Sequence, residues 1–376
     1  MKLVVTTWNM GNNINQIPNL MKKALNNNDC EIFVLGLQEV PVSKIKDGTI
    51  DLTCDQIAHD NKFFPLPINK SKTERPYSIS TCKGFTSSFG GFGIYLRIYY
   101  KNVNSSHIRV ERFNKHCPES TKGYVAISLN VHGKVIDIIN THMPFTKKNE
   151  YIKFNSKMNL WLKTKGFTSK DRILLGDLNS RSLLTSECLE KDIPLCRNIF
   201  DENYCILSNR LNALPYTETL KRVKITQKKS CNTLQNCSIG ENLSADPRQF
   251  STIKRLLVER DFIGNPPSKC NVIGDYREAP IYFLPSYKRD VKTGKFSLKK
   301  KSHGRLPGYP DRIVYKTDRN GVALVPSKYN LIDLKGNDHL PVYATFKLKN
   351  ITATKLGGSK KNRKRNSKKS RKIKKN

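Results

Sequence analysis

Acidic residues are scarce in this 376-residue chain: 31 Asp and Glu face 67 Lys and Arg, for a net charge of +36. So strong an imbalance favours polyanionic partners, namely phosphorylated lipid headgroups, an anionic membrane surface or nucleic acid. Long apolar runs are missing as well. No stretch reaches the roughly 18 residues of a spanning helix, and none is expected. Residues 1–8 hold a short apolar run with no small-residue cleavage site after it, so they read as a first core strand rather than a leader. The ten cysteines stand singly, no C-x-x-C occurs, and Cys231 and Cys237 lack partners at zinc-finger spacing. Free thiols in a reducing, intracellular compartment follow, in place of disulfides or structural zinc. There is no internal repeat.

What is present suffices for a large core. Apolar segments of strand character lie at 3–8, 31–37, 92–100, 123–131, 135–141, 173–176, 312–315 and 342–348. Helical stretches fall between them at 15–26, 150–163 and 248–259, the last behind Ala245-Asp246-Pro247, a cap with proline in the first turn. Strands this numerous, with helices spread along the length, predict two sheets packed face to face with helices outside. Residues 185–246 are polar, rich in Asn and Lys and weakly periodic, and read as an insertion within a catalytic domain spanning 1–350. Residues 357–376 carry eleven Lys or Arg and no acid, so they are expected to form a disordered polybasic tail. The tail reads as a peripheral membrane contact, a nuclear or nucleic-acid patch, or a solvated end. The remainder of the chain keeps a charge of +25 without it. A monomer in the cytoplasm, at a membrane surface or in the nucleus is the default expectation.

Polar residues recur where the strands end. Asn9 follows the first strand, Glu39 the second and His142 the strand at 135–141. Asp177 and Asn179 follow Leu174-Leu175-Gly176, Asp311 opens a late strand, and Asp338-His339 precede the last. One Asp after a strand is an ordinary turn residue, and His59, His107 and His132 read as structural or exposed. Several such residues leaving one sandwich edge can instead converge on a pocket. The residue types suit metal-assisted hydrolysis of a phosphate ester. Glu39, Asn9 and Asp338 offer hard oxygens to magnesium, Asp177 could align and deprotonate a water, and a protonated His339 could stabilise phosphoryl charge.

Five motifs then carry a resemblance: T-W-N-M-G at 7–11, G-L-Q-E-V at 36–40, N-T-H at 140–142, L-G-D-L-N-S-R at 175–181 and N-D-H-L-P-V at 337–342. In order and spacing they resemble the endonuclease/exonuclease/phosphatase superfamily. Three more stretches resemble its inositol polyphosphate 5-phosphatase branch: Y-R-E-A-P-I-Y-F-L-P-S-Y-K at 276–288, R-L-P-G-Y-P-D-R-I-V at 305–314 and T-K-G-Y-V-A-I at 121–127. The resemblance implies a four-layer α/β/β/α sandwich with the site at one edge of the sheets. It implies that Glu39 binds magnesium with Asn9 and Asp338 nearby, that Asp177 activates water, that Asn179 holds the phosphate, that Asp311 orients His339, and that His142 contacts the scissile phosphate. Tyr287, Lys288 and Arg305 inherit recognition of the neighbouring 4-phosphate, and Arg181 and Lys122 are placed with the substrate.

The chain departs from the family pattern at Tyr309-Pro310 for Trp-Cys, Asn337 for Ser, Leu340 for Lys and Ser180 for Tyr. A basic residue expected just before Arg305 is replaced by His303 or Gly304, with Lys301 displaced. These changes leave the catalytic set whole and touch substrate reading. The expected activity is magnesium-dependent removal of the 5-phosphate from a phosphoinositide or a soluble inositol polyphosphate. The alternatives are a magnesium-dependent nuclease of the same superfamily and a binding module without catalysis.

Overall fold

The computed structural model describes residues 1–11, 13–26, 30–67, 91–103, 105–117, 122–144, 148–179, 273–281, 283, 285–292, 308–318 and 323–349. The proposed insertion at 185–246, the helix at 248–259 and the tail at 357–376 lie outside them.

Strands β1 (Lys2–Asn9) and β2 (Ile32–Pro41) are apolar on both faces and buried along most of their length. They pair in parallel, which requires a crossover, and α1 (Ile17–Asn26) supplies it. Its Ile17, Leu20, Met21, Ala24 and Leu25 share one buried face, the spacing of an amphipathic helix on a sheet. Each such Leu or Ile contributes about 1.5–3 kcal/mol when fully buried. The helices α2 (Val42–Lys46) and α3 (Thr49–Asp60) follow, then β3 (Phe64–Pro65) and β4 (Phe92–Tyr100). The second sheet repeats the device. Strands β5 (Ile108–His116) and β6 (Gly123–Val131) lead into β7 (Lys134–His142). Helix α4 (Lys148–Thr164) then crosses over to β8 (Arg172–Asp177), parallel to β7. The chain closes with β9 (Arg277–Glu278), β10 (Asp311–Lys316), β11 (Leu324–Leu331) and β12 (Val342–Leu348).

The strand orders are β11-β12-β1-β2-β4-β3 and β5-β6-β7-β8-β10-β9. Between the sheets lies one core, with Leu3, Val5, Val34, Leu96, Ile127, Ile138, Leu175, Ile313 and Ala344 among its members. A second core joins Val4, Trp8 and Phe33 to α1 and α3, and a third joins Ile139, Leu174 and Val314 to Phe154, Met158 and Leu162 of α4. The layers are therefore α/β/β/α, as expected.

Every strand read from the sequence is present. Four others escaped that reading, the two-residue β3 and β9 and the longer β5 and β11, and all stand at sheet edges. Edge strands need no continuous apolar face: β5 is I-R-V-E-R-F-N-K-H and half exposed, and β11 carries Pro326 beside a bulge between Pro326 and Lys328. Helix α3 escaped for another reason: its Asp51 and Asp55 turn toward the sheet to meet Arg97 of β4, only 4% exposed.

Candidate active site

Along each central strand the inward face changes character toward one end of the sandwich. It runs Val5, Thr7, Asn9 on β1, Val34, Gly36, Gln38 on β2, Ile138, Asn140, His142 on β7 and Ile173, Leu175, Asp177 on β8. Apolar residues fill the middle and polar ones gather at the end, where they can satisfy one another or meet a ligand.

Asp177 is the hub. Its Oδ2 accepts from Asn9 Nδ2 at 2.9 Å and lies 3.3 Å from His142 Nε2, and its Oδ1 accepts from the Asn179 backbone N–H at 3.0 Å. The preceding Gly176 has φ +142, and a Cβ there would stand 1.8 Å from Thr141 O, so only glycine lets β8 deliver Asp177 against β7. His142 Nε2 also contacts Lys122 Nζ and lies 3.8 Å from Glu39 Oε1, while its buried Nδ1 has no hydrogen-bond partner among the described residues. Asn179 Nδ2 donates to Met143 O at 2.8 Å. Glu39 and Asn179 both sit in the left-handed region, at φ +53 and +47. Such residues cost of order 1–3 kcal/mol each and gather at functional sites.

A second group stands on β10 and the β12 approach. His339 Nδ1 lies 2.8 Å from Asp311 Oδ2, which also accepts from Ser286 Oγ at 2.7 Å. The Tyr287 ring packs on His339 with centroids 4.3 Å apart. The two groups meet: Asp177, Asp311 and His339 have ligand-type atoms within 4.8 Å of one another.

Charge is arranged to match. Burial would raise the Asp177 carboxyl, but the hydrogen bond and charge of His142, with His339 and Lys122, hold it well below the usual carboxylate range. Burial would lower His339, yet the charge and hydrogen bond of Asp311, with Asp177 and Asp338, raise it to about 9. At neutral pH the site therefore presents an ionised Asp177 beside an imidazolium.

The oxygen donors fit a hard dication in part. Glu39 keeps its side chain 35% exposed on the rim, and Asn9 Oδ1 accepts an N–H from Gly11 at 3.2 Å, leaving acceptor capacity in hand. Asp338, expected beside them, accepts through Oδ2 from Lys288 Nζ at 2.7 Å. Among the described residues the one group of three acidic or imidazole side chains close enough to share an ion is Asp177, Asp311 and His339. Those three are already engaged in the hydrogen bonds above, and neither Glu39 nor Asp338 belongs to the group. The structure thus brings together Asn9, Glu39, Lys122, His142, Asp177 and Asn179, and places Asp311, His339, Tyr287, Lys288 and Asp338 beside them. Arg181 and Arg305 lie outside the described residues.

Sequence reasoning missed Ser286, fully buried on Asp311; its hydroxyl in the F-L-P-S-Y-K stretch was the available signal. It also missed the use of Asn337, noted only as a departure. Asn337 Nδ2 donates to Asn9 O at 2.8 Å and its Oδ1 accepts from the Asp338 N–H at 2.6 Å, so this side chain ties the β1 end to the Asp338-His339 turn.

With this geometry in view, known proteins share both architecture and sequence. Residues 243–345 match the family model for Endonuclease/Exonuclease/phosphatase family 2. The inositol polyphosphate 5-phosphatase domain of spsynaptojanin, solved with inositol (1,4)-bisphosphate and calcium ion, superposes with a TM-score of 0.55 at 19% identity, covering 92% of this chain and 83% of that one. The fold is that of the endonuclease/exonuclease/phosphatase superfamily. The superfamily fold does not fix chemistry by itself: Cimex nitrophorin, solved as a ferrous NO complex, superposes with a TM-score of 0.54 at 13% identity, covering 92% of this chain and 97% of that one. Similarity in sequence extends over part of the chain. The chain is 37% identical over 94 residues to the phosphatidylinositol polyphosphate 5-phosphatase type IV of Rattus norvegicus, a match covering 25% of this chain and 14% of that protein's length. The resemblance read from the motifs is thereby borne out.

Proposed function

We propose that the protein is a magnesium-dependent phosphomonoesterase that removes the 5-phosphate from phosphoinositides or soluble inositol polyphosphates. The observation that carries the reading is the convergence of Asp177 with Asn9 and His142 on one side and the Asp311–His339 pair on the other. The relative's 5-phosphatase name and the inositol bisphosphate in the spsynaptojanin structure support the substrate class.

In this reading Glu39 and Asn9 hold magnesium, which when bound neutralises phosphate charge and eases departure of the leaving oxygen. Asp177, ionised at neutral pH, accepts a hydrogen bond from the attacking water and aligns it on phosphorus. Its depressed pKa makes it a weak base, so alignment is its larger contribution. His339, protonated at neutral pH and oriented by Asp311, donates to a phosphoryl oxygen as charge builds there. His142, Asn179 and Lys122 hold the scissile phosphate. The bond from phosphorus to the ring oxygen breaks, leaving an inositol hydroxyl and inorganic phosphate. Tyr287, Lys288 and Arg305 bind the neighbouring ring phosphate, with Arg181 at the substrate's edge. Residues 357–376 attach the enzyme to anionic membrane, and their removal weakens vesicle binding while sparing a soluble substrate.

Phosphate release from inositol 1,4,5-trisphosphate and from short-chain phosphatidylinositol 4,5-bisphosphate, with magnesium and with EDTA, tests the proposal. Metal-dependent release supports it. Metal-dependent nicking of abasic plasmid without phosphate release replaces it with the nuclease reading.

A further inference from the structure

Strand β2 is interrupted just before its functional residue. Leu37 pairs with Tyr95 and Val40 with Gly93, so Gln38 and Glu39 together oppose the single residue Ile94. A bulge of this kind bends a strand and re-aims a side chain, and here that side chain is Glu39, at φ +53.

Two buried amides hold the interruption from the far side of the core. Asn140, on β7 of the facing sheet, donates through Nδ2 to the carbonyls of the last pair before the bulge, Leu37 at 3.1 Å and Tyr95 at 2.7 Å. Its Oδ1 accepts from Gln38 Nε2 at 2.6 Å, and the same Nε2 donates to Thr7 Oγ1 on β1 at 3.1 Å. Both amides are fully buried. Gly36 makes the room for them: a Cβ there would stand 3.0 Å from Asn140 Cγ and 2.6 Å from Leu175 Cδ1. The neighbouring inter-sheet layer is filled by Val5, Val34, Ile138 and Leu175. Apolar side chains would satisfy packing at positions 38 and 140 as well, and buried amides are costly unless every group finds a partner. The polar choice therefore serves something other than the core. The Gln38 carbonyl adds a further link, accepting from Met10 N at 3.0 Å just beyond Asn9.

We propose that Asn140 and Gln38 are positioning residues whose interlocked amides clamp the β2 bulge from the opposite sheet and fix Glu39 for a divalent cation. The use made of Glu39 rests on the phosphoesterase reading above; the clamp does not.

The test uses the full chain, Mn²⁺ as the metal probe read by the electron paramagnetic resonance of the free ion, and hydrogen exchange in the peptide covering residues 36–42. In Asn140→Leu the Mn²⁺ concentration for half-saturation rises by about 10–100-fold, the range for residues that orient metal ligands. The magnesium requirement for phosphate release rises in parallel, kcat at saturating metal changes little, and exchange across residues 36–42 accelerates. Ser128→Ala, which removes a buried 2.6 Å hydrogen bond to Asp137 elsewhere in the second sheet, leaves all of these unchanged and separates positioning from general loosening. If Asn140→Leu does not fold, Gln38→Leu carries the same expectations. Folded Leu variants with wild-type Mn²⁺ binding and wild-type exchange overturn the clamp. A wild-type protein that takes up no Mn²⁺ overturns the phosphoesterase reading, and the exchange measurement still decides the clamp.

Discussion

Lys288 Nζ sits 2.7 Å from Asp338 Oδ2, so the lysine proposed to read the substrate's second phosphate is tied to the residue beside His339. This pair is partly exposed, with side chains 19% and 27% accessible, and it links recognition to the catalytic turn. Removing Lys288 takes away one charge-assisted hydrogen bond, worth about 1.5–3 kcal/mol. Lys288→Ala is therefore expected to raise KM for inositol 1,4,5-trisphosphate by about 10–100-fold, with a smaller change in kcat. Steady-state kinetics check this, alongside a substrate lacking the 4-phosphate, on which the variant and the wild type should differ little.

The Asp311–His339 pair gives a pH prediction. Asp311 and its acidic neighbours raise His339 to about 9, so in the metal-free protein the imidazolium persists well above the ordinary value of about 6.5. A folded-state pKa raised in this way contributes stability that is complete below the ordinary value and lost as pH rises through about 9. Titration of the His339 ring by NMR should show the high value in the wild type and a fall toward the ordinary one in Asp311→Asn. Turnover by that variant at neutral pH should drop by about 10²–10⁴-fold, the scale of a lost acid–base partner.

The Gly176→Ala substitution should prevent normal folding. The new methyl would stand 1.8 Å from the Thr141 carbonyl, and φ +142 is strained for any L side chain. Circular dichroism and thermal melting should show a destabilised or unfolded chain. Gly133→Ala is the comparison: nothing among the described residues lies within 4 Å of a Cβ there, so only the cost of φ +81 remains.

The inward acids of α3 make a stability prediction. Arg97, 4% exposed, pairs with Asp51 at 3.3 Å and with Asp55. Arg97→Met takes the guanidinium away from both carboxylates, a change that costs about 3–5 kcal/mol when one partner of a buried pair is removed. Urea unfolding should show the loss, and the triple variant that adds Asp51→Asn and Asp55→Asn should recover part of it.

Cys54 lies fully buried on the same helix, and burial pushes its thiol up to about 12. The thiolate is the reactive form, so Cys54 should resist alkylation at pH 8 in the native protein and react only on unfolding. Peptide-level mass spectrometry distinguishes it from the other cysteines.

These cases show why some of the molecule was readable in advance and some was not. Central strands such as β4 and β6 are buried on both faces, and their apolar runs gave boundaries that the structure reproduces. The edge strands β5 and β11 are held by pairing on one side only and need no apolar signature. The functional residues at strand ends were legible because Asn9, His142 and Asp177 each break an apolar run where a sheet stops. The Glu39 bulge was not legible, since left-handed backbone leaves no mark on a glutamate. Gln38 and Asn140 did leave one: each is an amide set within an otherwise apolar buried strand. The Lys288–Asp338 contact was not legible either, because nothing in the sequence pairs a residue of the F-L-P-S-Y-K stretch with the turn before β12.

The measurement that bears most directly on the account is the identity of the product formed from inositol 1,4,5-trisphosphate with magnesium, resolved by anion-exchange chromatography, with Asp177→Ala run in parallel. The account predicts inositol 1,4-bisphosphate and an equal amount of inorganic phosphate from the wild type, and neither from the variant. Release of a different bisphosphate, or equal release by the Asp177 variant, would contradict it.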